Sequence, residues 1–383
     1  MVDNISRRTF VRNGSAGILA VGSAGLAGCT SSLPIVGGGE SGVATDNWLA
    51  DLSFEQLFQE ADLTDEYPNA TLEDHDRTGQ SFDAVVPQAV FDNEEQLVVY
   101  WPLEQGSELR SKVGVPETDL DWQLTQRVDW EYEYSYTSET TYSSQTIDET
   151  GLASVDVGTL SGSFEPDSVE TNLENWADDR YSDATDLSSE GEHEGFDLYK
   201  IDEQAFAVSD EYVIEASADS YLDPVAVVEA VIDVQSSGDG TWTETDDGEA
   251  LLAQFDTGHF AEGEIHTSRT VDARLEEQYG DLGSISDARR EDLEARIEDS
   301  LDDWETGLTG TATAYEFDGE TTDLQEAFLY ENEDDADPDA LREHVDSNRN
   351  VGDRWGTISD YSVSDEGRTL VLTESVRTRS LLQ

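Results

Sequence analysis

The apolar and polar positions of the chain form short alternating runs, which predict strands, between longer runs with helical spacing. The clearest strand covers residues 128–136, where every second residue is apolar or aromatic and most of the others are acidic or polar. One face of this strand therefore consists of Val128, Trp130, Tyr132, Tyr134 and Tyr136. We expect residues 140–147 to return beside it. The stripe predicts either a sugar-binding platform or a sheet face that the core covers.

Beyond residue 152 the pattern alternates between strands and single helices. We predict a strand over 153–164, a helix that begins at Pro166, and an antiparallel meander of three strands, at 196–201, 205–209 and 212–216. Further helices are predicted from Pro224, over 246–255, over 284–304 and from Asp337 to Val345. Further strands are predicted at 259–267, 308–317, 324–330, 357–363 and 369–376.

Runs of strands followed by single helices, without strict βαβ alternation, indicate an α+β fold. We expect antiparallel sheets with helices packed on one face. The order strand, strand, helix, strand, strand occurs in 152–267 and again in 308–376, which favours two related subdomains.

The N-terminal segment has a pattern of its own. Arg7 and Arg8 precede a bland apolar run, which ends in Leu26-Ala27-Gly28-Cys29. The arginine pair followed by Phe10 resembles a twin-arginine (Tat) export signal, and the last four residues resemble a lipobox. This resemblance implies cleavage before Cys29 and attachment of lipid to that residue, so that the protein is anchored to the outer face of the cytoplasmic membrane. Cys29 is the single cysteine, which excludes intrachain disulfides and cysteine-cluster zinc sites.

These segments give a domain prediction. Residues 1–28 are the signal peptide and 29–46 are the lipidated cysteine with a Gly/Ser-rich tether. A β-rich region covers 47–150 and an α+β region covers 151–383, with subdomains at 151–270 and 271–383.

Charge dominates the composition, with 88 acidic and 20 basic residues and a net charge of −68. Two lysines and abundant carboxylates resemble the composition of proteins from extreme halophiles, the haloarchaea in particular. Because the Debye length falls from about 30 Å at 0.01 M salt to about 3 Å at 1 M, molar salt would screen this self-repulsion. Because nucleic acid is itself polyanionic, a net charge of −68 makes it an unexpected partner.

The stretch from Leu160-Ser-Gly-Ser-Phe-Glu-Pro through Gly195-Phe-Asp-Leu-Tyr, Ala205-Phe-Ala-Val and Val228-Glu-Ala-Val-Ile-Asp resembles a type common in haloarchaeal Tat-exported lipoproteins. That family is uncharacterised. The resemblance implies a cell-surface α+β domain and no particular activity.

Candidate chemistry is sparse in this sequence. The five histidines lack metal-ligand spacing, and neither a nucleophile elbow nor a phosphate loop follows a strand. The acidic runs 246–249 and 331–339 predict either a Ca²⁺ site or hydrated helix caps, and we favour caps. We nominate no catalytic residue, no metal and no cofactor. Asn69, in Asn-Ala-Thr, is a candidate glycosylation site.

The sequence therefore predicts a membrane-anchored extracellular lipoprotein that is a non-enzymatic binding or envelope protein. Its expected contacts are the membrane, through the lipid, and an envelope protein or a carbohydrate. The alternatives left open are a secreted hydrolase that acts on polysaccharide or peptide, and a solute-binding protein of a transporter.

Overall fold

The structure is a computed structural model, and it describes residues 48–97, 103, 107–140, 143–180, 187–219, 221–253, 258–266, 275, 287–298, 302–348 and 360–381. The strands are β1 (Thr71–Val85), β2 (Leu120–Thr140), β3 (Ser143–Gly162), β4 (Ser188–His193), β5 (Phe196–Ile201), β6 (Gln204–Val208), β7 (Tyr212–Ala218), β8 (Phe260–His266), β9 (Leu308–Asp318), β10 (Thr321–Tyr330), β11 (Tyr361–Asp365) and β12 (Thr369–Arg377). The helices are α1 (Phe54–Leu57), α2 (Glu60–Glu66), α3 (Pro87–Asp92), α4 (Ser107–Val113), α5 (Pro166–Arg180), α6 (Pro224–Ser237), α7 (Asp246–Leu252), α8 (Asp287–Glu298) and α9 (Pro338–Asn348).

The chain divides into two compact units. The seven-stranded unit contains Val43–Gln88 and Trp101–Thr245, and the five-stranded unit contains Ala89–Tyr100 and Asp246–Gln383. In the first unit the strands follow the order β1-β2-β3-β7-β6-β5-β4, and in the second the order β11-β12-β10-β9-β8. All the described strand pairs within each unit are antiparallel, which confirms the predicted α+β class.

The two faces of the seven-stranded sheet follow from its register. Trp130 lies opposite Ala153 and Leu124 lies opposite Thr159. Because alternate residues of a strand share a face, these four side chains lie on one face, which we call the aromatic face. Gln123 lies opposite Leu160, and Leu160 opposite Val213, on the other face, which we call the acidic face because its open end carries carboxylates.

Helices lie on both faces of this sheet, whereas the sequence predicted one covered face. Helix α6 covers the aromatic face beside β5, β6 and β7, and its first turn is capped by Asp223, whose carboxylate accepts from Val225 N at 3.1 Å. Gly238, at φ 74°, ends the helix in the left-handed conformation that glycine adopts without strain. Helices α4 and α5 pack on the acidic face, in a cluster that includes Leu109, Leu173, Leu160, Phe206 and Val213.

Several predicted elements are confirmed and others differ from the prediction. The meander of β5, β6 and β7 pairs as expected, and α5 and α6 begin at Pro166 and Pro224. Residues 53–61 have apolar positions at helical spacing, which favours one helix, but they form two helices. The backbone near Phe58 leaves the helix to bond residues 221–223, with Gln59 N donating to Tyr221 O at 2.7 Å. Strand β3 runs through residue 150, where the sequence analysis places a domain boundary.

The five-stranded unit packs its sheet between helical segments. The ring of Trp304 contacts Phe328 on one face at 5.2 Å between centroids, and Tyr330 Oη donates to Trp304 O at 2.8 Å. Thr369, on the other face, donates through Oγ1 to Ala250 O of α7 at 2.8 Å. Of the helix predicted over 284–304, the structure describes 287–298 as helical.

Candidate functional site

A buried ion pair lies on the acidic face, where Lys112 of α4 meets Glu215 of β7. Lys112 is 3% exposed and Glu215 is 9% exposed. The ammonium group donates to the Glu215 carboxylate, and it lies 3.3 Å from Glu108 Oε1 and 3.5 Å from Gln204 Oε1. Three oxygen-bearing side chains therefore surround one of the two lysines of the chain.

Aromatic rings complete the surroundings of this ammonium group. Lys112 Nζ lies 4.8 Å from the centroid of the Trp176 ring and 6.0 Å from that of Phe206. A cation over an aromatic face is attracted by the ring quadrupole, and the attraction grows where water is excluded. The local sequence explains the placement, since Leu109 and Val113 direct one side of the short helix α4 into the core and Lys112 lies beside them.

Burial sets the protonation behaviour of the acid. Loss of solvation raises the pKa of Glu215, and the ammonium group of Lys112 acts in the opposite direction by charge and by hydrogen bonding. The pair connects α4 to the sheet. Removing either partner, or moving α4 away, would leave the other charge buried without compensation. The ammonium and carboxylate groups bind each other, so the pair has a structural role.

A second buried cation, Arg110, lies two residues before Lys112 in α4. Its guanidinium donates to Gln123 Oε1 and Leu103 O, and lies 3.2 Å from Glu117 Oε1. Burial lowers the pKa of Arg110, and Glu117 opposes that shift. Arg110 lines a shallow cavity of about 340 Å³ together with Ser107, Ser111 and residues 114–117. The hydrogen bonds of the guanidinium connect the helix to the sheet and to the chain around Leu103.

The aromatic stripe of β2 is covered. Trp130, Tyr132 and Tyr134 are 2%, 4% and 6% exposed. The ring of Phe54 in α1 packs on Trp130 and Tyr132 at 5.9 and 5.6 Å, and Tyr67 packs on Tyr134 at 5.4 Å. Burial raises the pKa of Tyr132 to about 12. Of the two alternatives for the stripe, the structure supports the covered sheet face. An exposed aromatic platform for sugar is not present at Trp130, Tyr132 and Tyr134, since these side chains are buried.

The two acidic runs lie at the starts of helices α9 and α7. Asp337 caps α9, with Oδ1 accepting from Asp339 N at 2.8 Å and from Ala340 N at 3.1 Å. Asp247, in the first turn of α7, pairs with Arg368 at 2.6 Å. Within the described ranges, no group of three or more His, Cys, Asp or Glu side chains is arranged to hold a metal ion.

The histidines are dispersed over the described structure. His259 Nδ1 accepts from Phe317 N at 2.9 Å, and burial lowers the pKa of this imidazole. His193 lies 2.7 Å from Asp233, and His344 lies 3.1 Å from Asp302. His75 stacks on Phe54, and His266 ends β8 3.4 Å from Glu264. The structure does not bring any two of these five side chains together in a metal group.

Of the predicted site residues, the structure describes Asn69. Arg7, Arg8 and Cys29 lie outside the described residues. Asn69 is exposed, between α2 and β1, at φ 64° in the left-handed region that asparagine tolerates. No described helix is both long enough and apolar enough to span a bilayer.

Neither Lys112 nor Glu215 is among the residues predicted from the sequence. A signal was present, since Glu215 interrupts the apolar run from Tyr212 to Ala216, where a carboxylate needs a partner if the strand is buried. Its partner was not identifiable, because Lys112 is 103 residues away along the chain.

Comparison with known proteins adds little. No protein-family model matches the chain, and no curated protein matches it. Among solved structures, crystal form III of TP0453 is similar with a TM-score of 0.39 and 8% identity, over 79% of this chain and 91% of that chain. Crystal form I has a TM-score of 0.38 and 7% identity, over 79% and 90% of the two chains. Similarity at this level assigns neither a family nor a function.

Proposed function

We propose that the protein is a membrane-anchored extracellular lipoprotein with a non-enzymatic binding or envelope role. The observation that carries the proposal is the segment Leu26-Ala27-Gly28-Cys29, which contains the single cysteine of the chain and follows the Arg7-Arg8 pair. Lipid on Cys29 would supply the anchor, since each buried CH₂ contributes about 0.8 kcal/mol and two chains hold a protein firmly.

A binding role is favoured by the open end of the seven-stranded sheet. There the acidic face exposes Glu131, Glu133 and Asp148 to solvent, and Leu152 among them is 70% exposed. Leu152 is the one large apolar side chain in the described structure that is exposed to this degree. The edge of β3 beside these residues is not covered by a described strand, and unpaired backbone groups on an edge strand can pair with another chain.

The hydrolase alternative is not adopted. It depended on the aromatic stripe as a platform for polysaccharide, and Trp130 and Tyr132 are covered by α1. The charged groups at the centre of the acidic face, Lys112 and Glu215, are paired with each other.

Cell fractionation tests the proposal directly. The protein is expressed in its own cells, and membrane, medium and cytoplasm are separated. We expect the unchanged chain in the membrane fraction and Cys29→Ser in the medium. A double change of Arg7→Lys and Arg8→Lys should leave the chain inside the cell. The matched control is Ser31→Ala, two residues from the cysteine, which should behave as the unchanged chain does. Retention of Cys29→Ser in the membrane would contradict the proposal.

A further inference from the structure

The β2–β3 hairpin has a long edge that no described strand covers. Strand β3 pairs with β2 along its whole length, but it pairs with β7 only from Val155 to Ser161. The register between β2 and β3 has no irregularity along the part nearer the hairpin tip. Residues 143–153 therefore present a free edge without proline or a bulge, and Asp148 and Glu149 are its only charged residues, so the pairings open to it are those that keep these carboxylates apart.

The hydrogen bonds at the two ends of the β3–β7 pairing show which residues of β3 direct their backbone N–H and C=O groups away from β2. Ser154 N donates to Asp219 Oδ2 at 2.6 Å, and Asp219 N donates to Ser154 O at 3.1 Å. Gly162 N likewise donates towards the β7 side, to Glu211 O at 3.1 Å. Since the pattern alternates along a strand, even-numbered residues direct N–H and C=O outward. On the free edge these are Ser144, Thr146, Asp148, Thr150 and Leu152.

We propose that this edge pairs with the same edge of a second copy of the chain, antiparallel and about a twofold axis centred on Ile147. A twofold axis normal to the sheet opposes one residue to itself. Centring on Asp148 or on Glu149 would place like charges directly opposite, which is destabilising. Centring on Ile147 opposes Thr146 to Asp148 and Gln145 to Glu149, with no like-charge pair.

The register also decides the length of the contact. Pairing about Ile147 uses residues 143–151, and Ser154, which Asp219 already bonds, stays outside it. Centring on Thr146 or on Thr150 also avoids like charges but makes a shorter ladder. The Ile147 register is therefore the longest one that the charges permit. It places the half-buried Ile147 side chains against each other.

Cysteine cross-linking tests the register in the full chain carrying Cys29→Ser, so that the introduced thiol is the only one. Ile147 occupies a non-hydrogen-bonded position, where opposed Cα atoms lie about 4.5 Å apart, within the range that a disulfide spans. We expect Ile147→Cys to form a covalent dimer under mild oxidation in molar NaCl. The matched control Gln145→Cys lies on the same face two residues away, opposite Glu149 of the second copy, and should stay monomeric.

Sedimentation measures the association without any cross-link. We expect the Cys29→Ser chain to form dimers in molar NaCl and to dissociate at low salt. Ile147→Glu, which opposes two carboxylates at the axis, should weaken the dimer by about tenfold or more. Circular dichroism checks that this variant is folded. A monomer at all concentrations, equal cross-linking at positions 145 and 147, or a dimer unaffected by Ile147→Glu would each overturn the inference. All these tests are independent of lipid attachment.

Discussion

The acidic face of the seven-stranded sheet has a covered end and an open end, and the same strands supply both. At the covered end, Leu160, Phe206 and Val213 lie beneath α4 and α5 and are buried. At the open end, Glu131 and Glu133 of β2 are exposed beside Leu152 of β3. The backbone register continues from one end to the other. Side-chain character thus changes where the helices end, while the pairing between β2 and β3 continues.

The border between the two ends carries the charged pairs. Lys112 and Glu215 form the buried pair just under α4, and Arg127 pairs with Asp129 and Asp156 next to it at 2.7 and 2.9 Å. Arg127 is 40% exposed, so its pairs contribute about 0–1 kcal/mol each. The comparison teaches that charge has a structural role only where the helices exclude water.

The largest effect is expected at the buried pair. Lys112→Met should lower the free energy of unfolding by about 3–5 kcal/mol, because Glu215 would stay buried without its cation. The double variant Lys112→Met, Glu215→Leu should recover most of that loss. Urea titration in molar NaCl measures both. A cost below about 1 kcal/mol for the single variant would show that the pair does not hold α4.

Apolar truncation separates the two ends of the face. Leu173→Ala, in α5 at 0% exposure, should cost about 2–5 kcal/mol by leaving a cavity. Leu152→Ala, the same substitution at the open end, should change the stability by no more than about 0.5 kcal/mol. Thermal unfolding of the two variants measures the difference. Equal costs would mean that Leu152 is covered in solution.

A smaller effect is expected at His259, a half-buried group in the five-stranded unit, where stability should depend on pH. Burial lowers the pKa of His259, so the folded state favours the neutral imidazole that accepts from Phe317 N. Its contribution is present above the unfolded pKa of about 6.5 and is lost as the pH falls through that value towards the folded pKa. His259→Asn should flatten the pH dependence of unfolding as the pH falls below about 6.5. An unchanged slope would contradict this assignment.

The sequence predicts those elements whose apolar period is regular. Strand 128–136 alternates strictly, and Pro166 and Pro224 mark the starts of two helices, so these elements are confirmed. Strand β1 was not predicted, because its first residues are polar and largely exposed and it joins the sheet through backbone hydrogen bonds. Residues 147–155 of β3, and not the predicted 140–147, lie opposite residues 128–136 of β2. The polar outer part of this hairpin pairs through its backbone and leaves no hydrophobic pattern in the sequence.

The candidate site was harder to predict than the fold. Asp337 caps α9, as the helix-cap interpretation of its acidic run predicts, whereas Asp247 lies in the first turn of α7 and pairs with Arg368. Lys112 and Glu215 meet through tertiary packing across 103 residues, and a single sequence carries no record of such a pair. The covering of the aromatic stripe likewise depends on α1, whose short length follows from backbone bonds to residues 221–223.

The central claim is that the chain is lipid-anchored through Cys29. Mass spectrometry of the protein extracted from membranes tests it most directly. We predict that the mature chain begins at Cys29 and that this residue carries added lipid mass. An unmodified Cys29 still joined to Gly28 would contradict the claim.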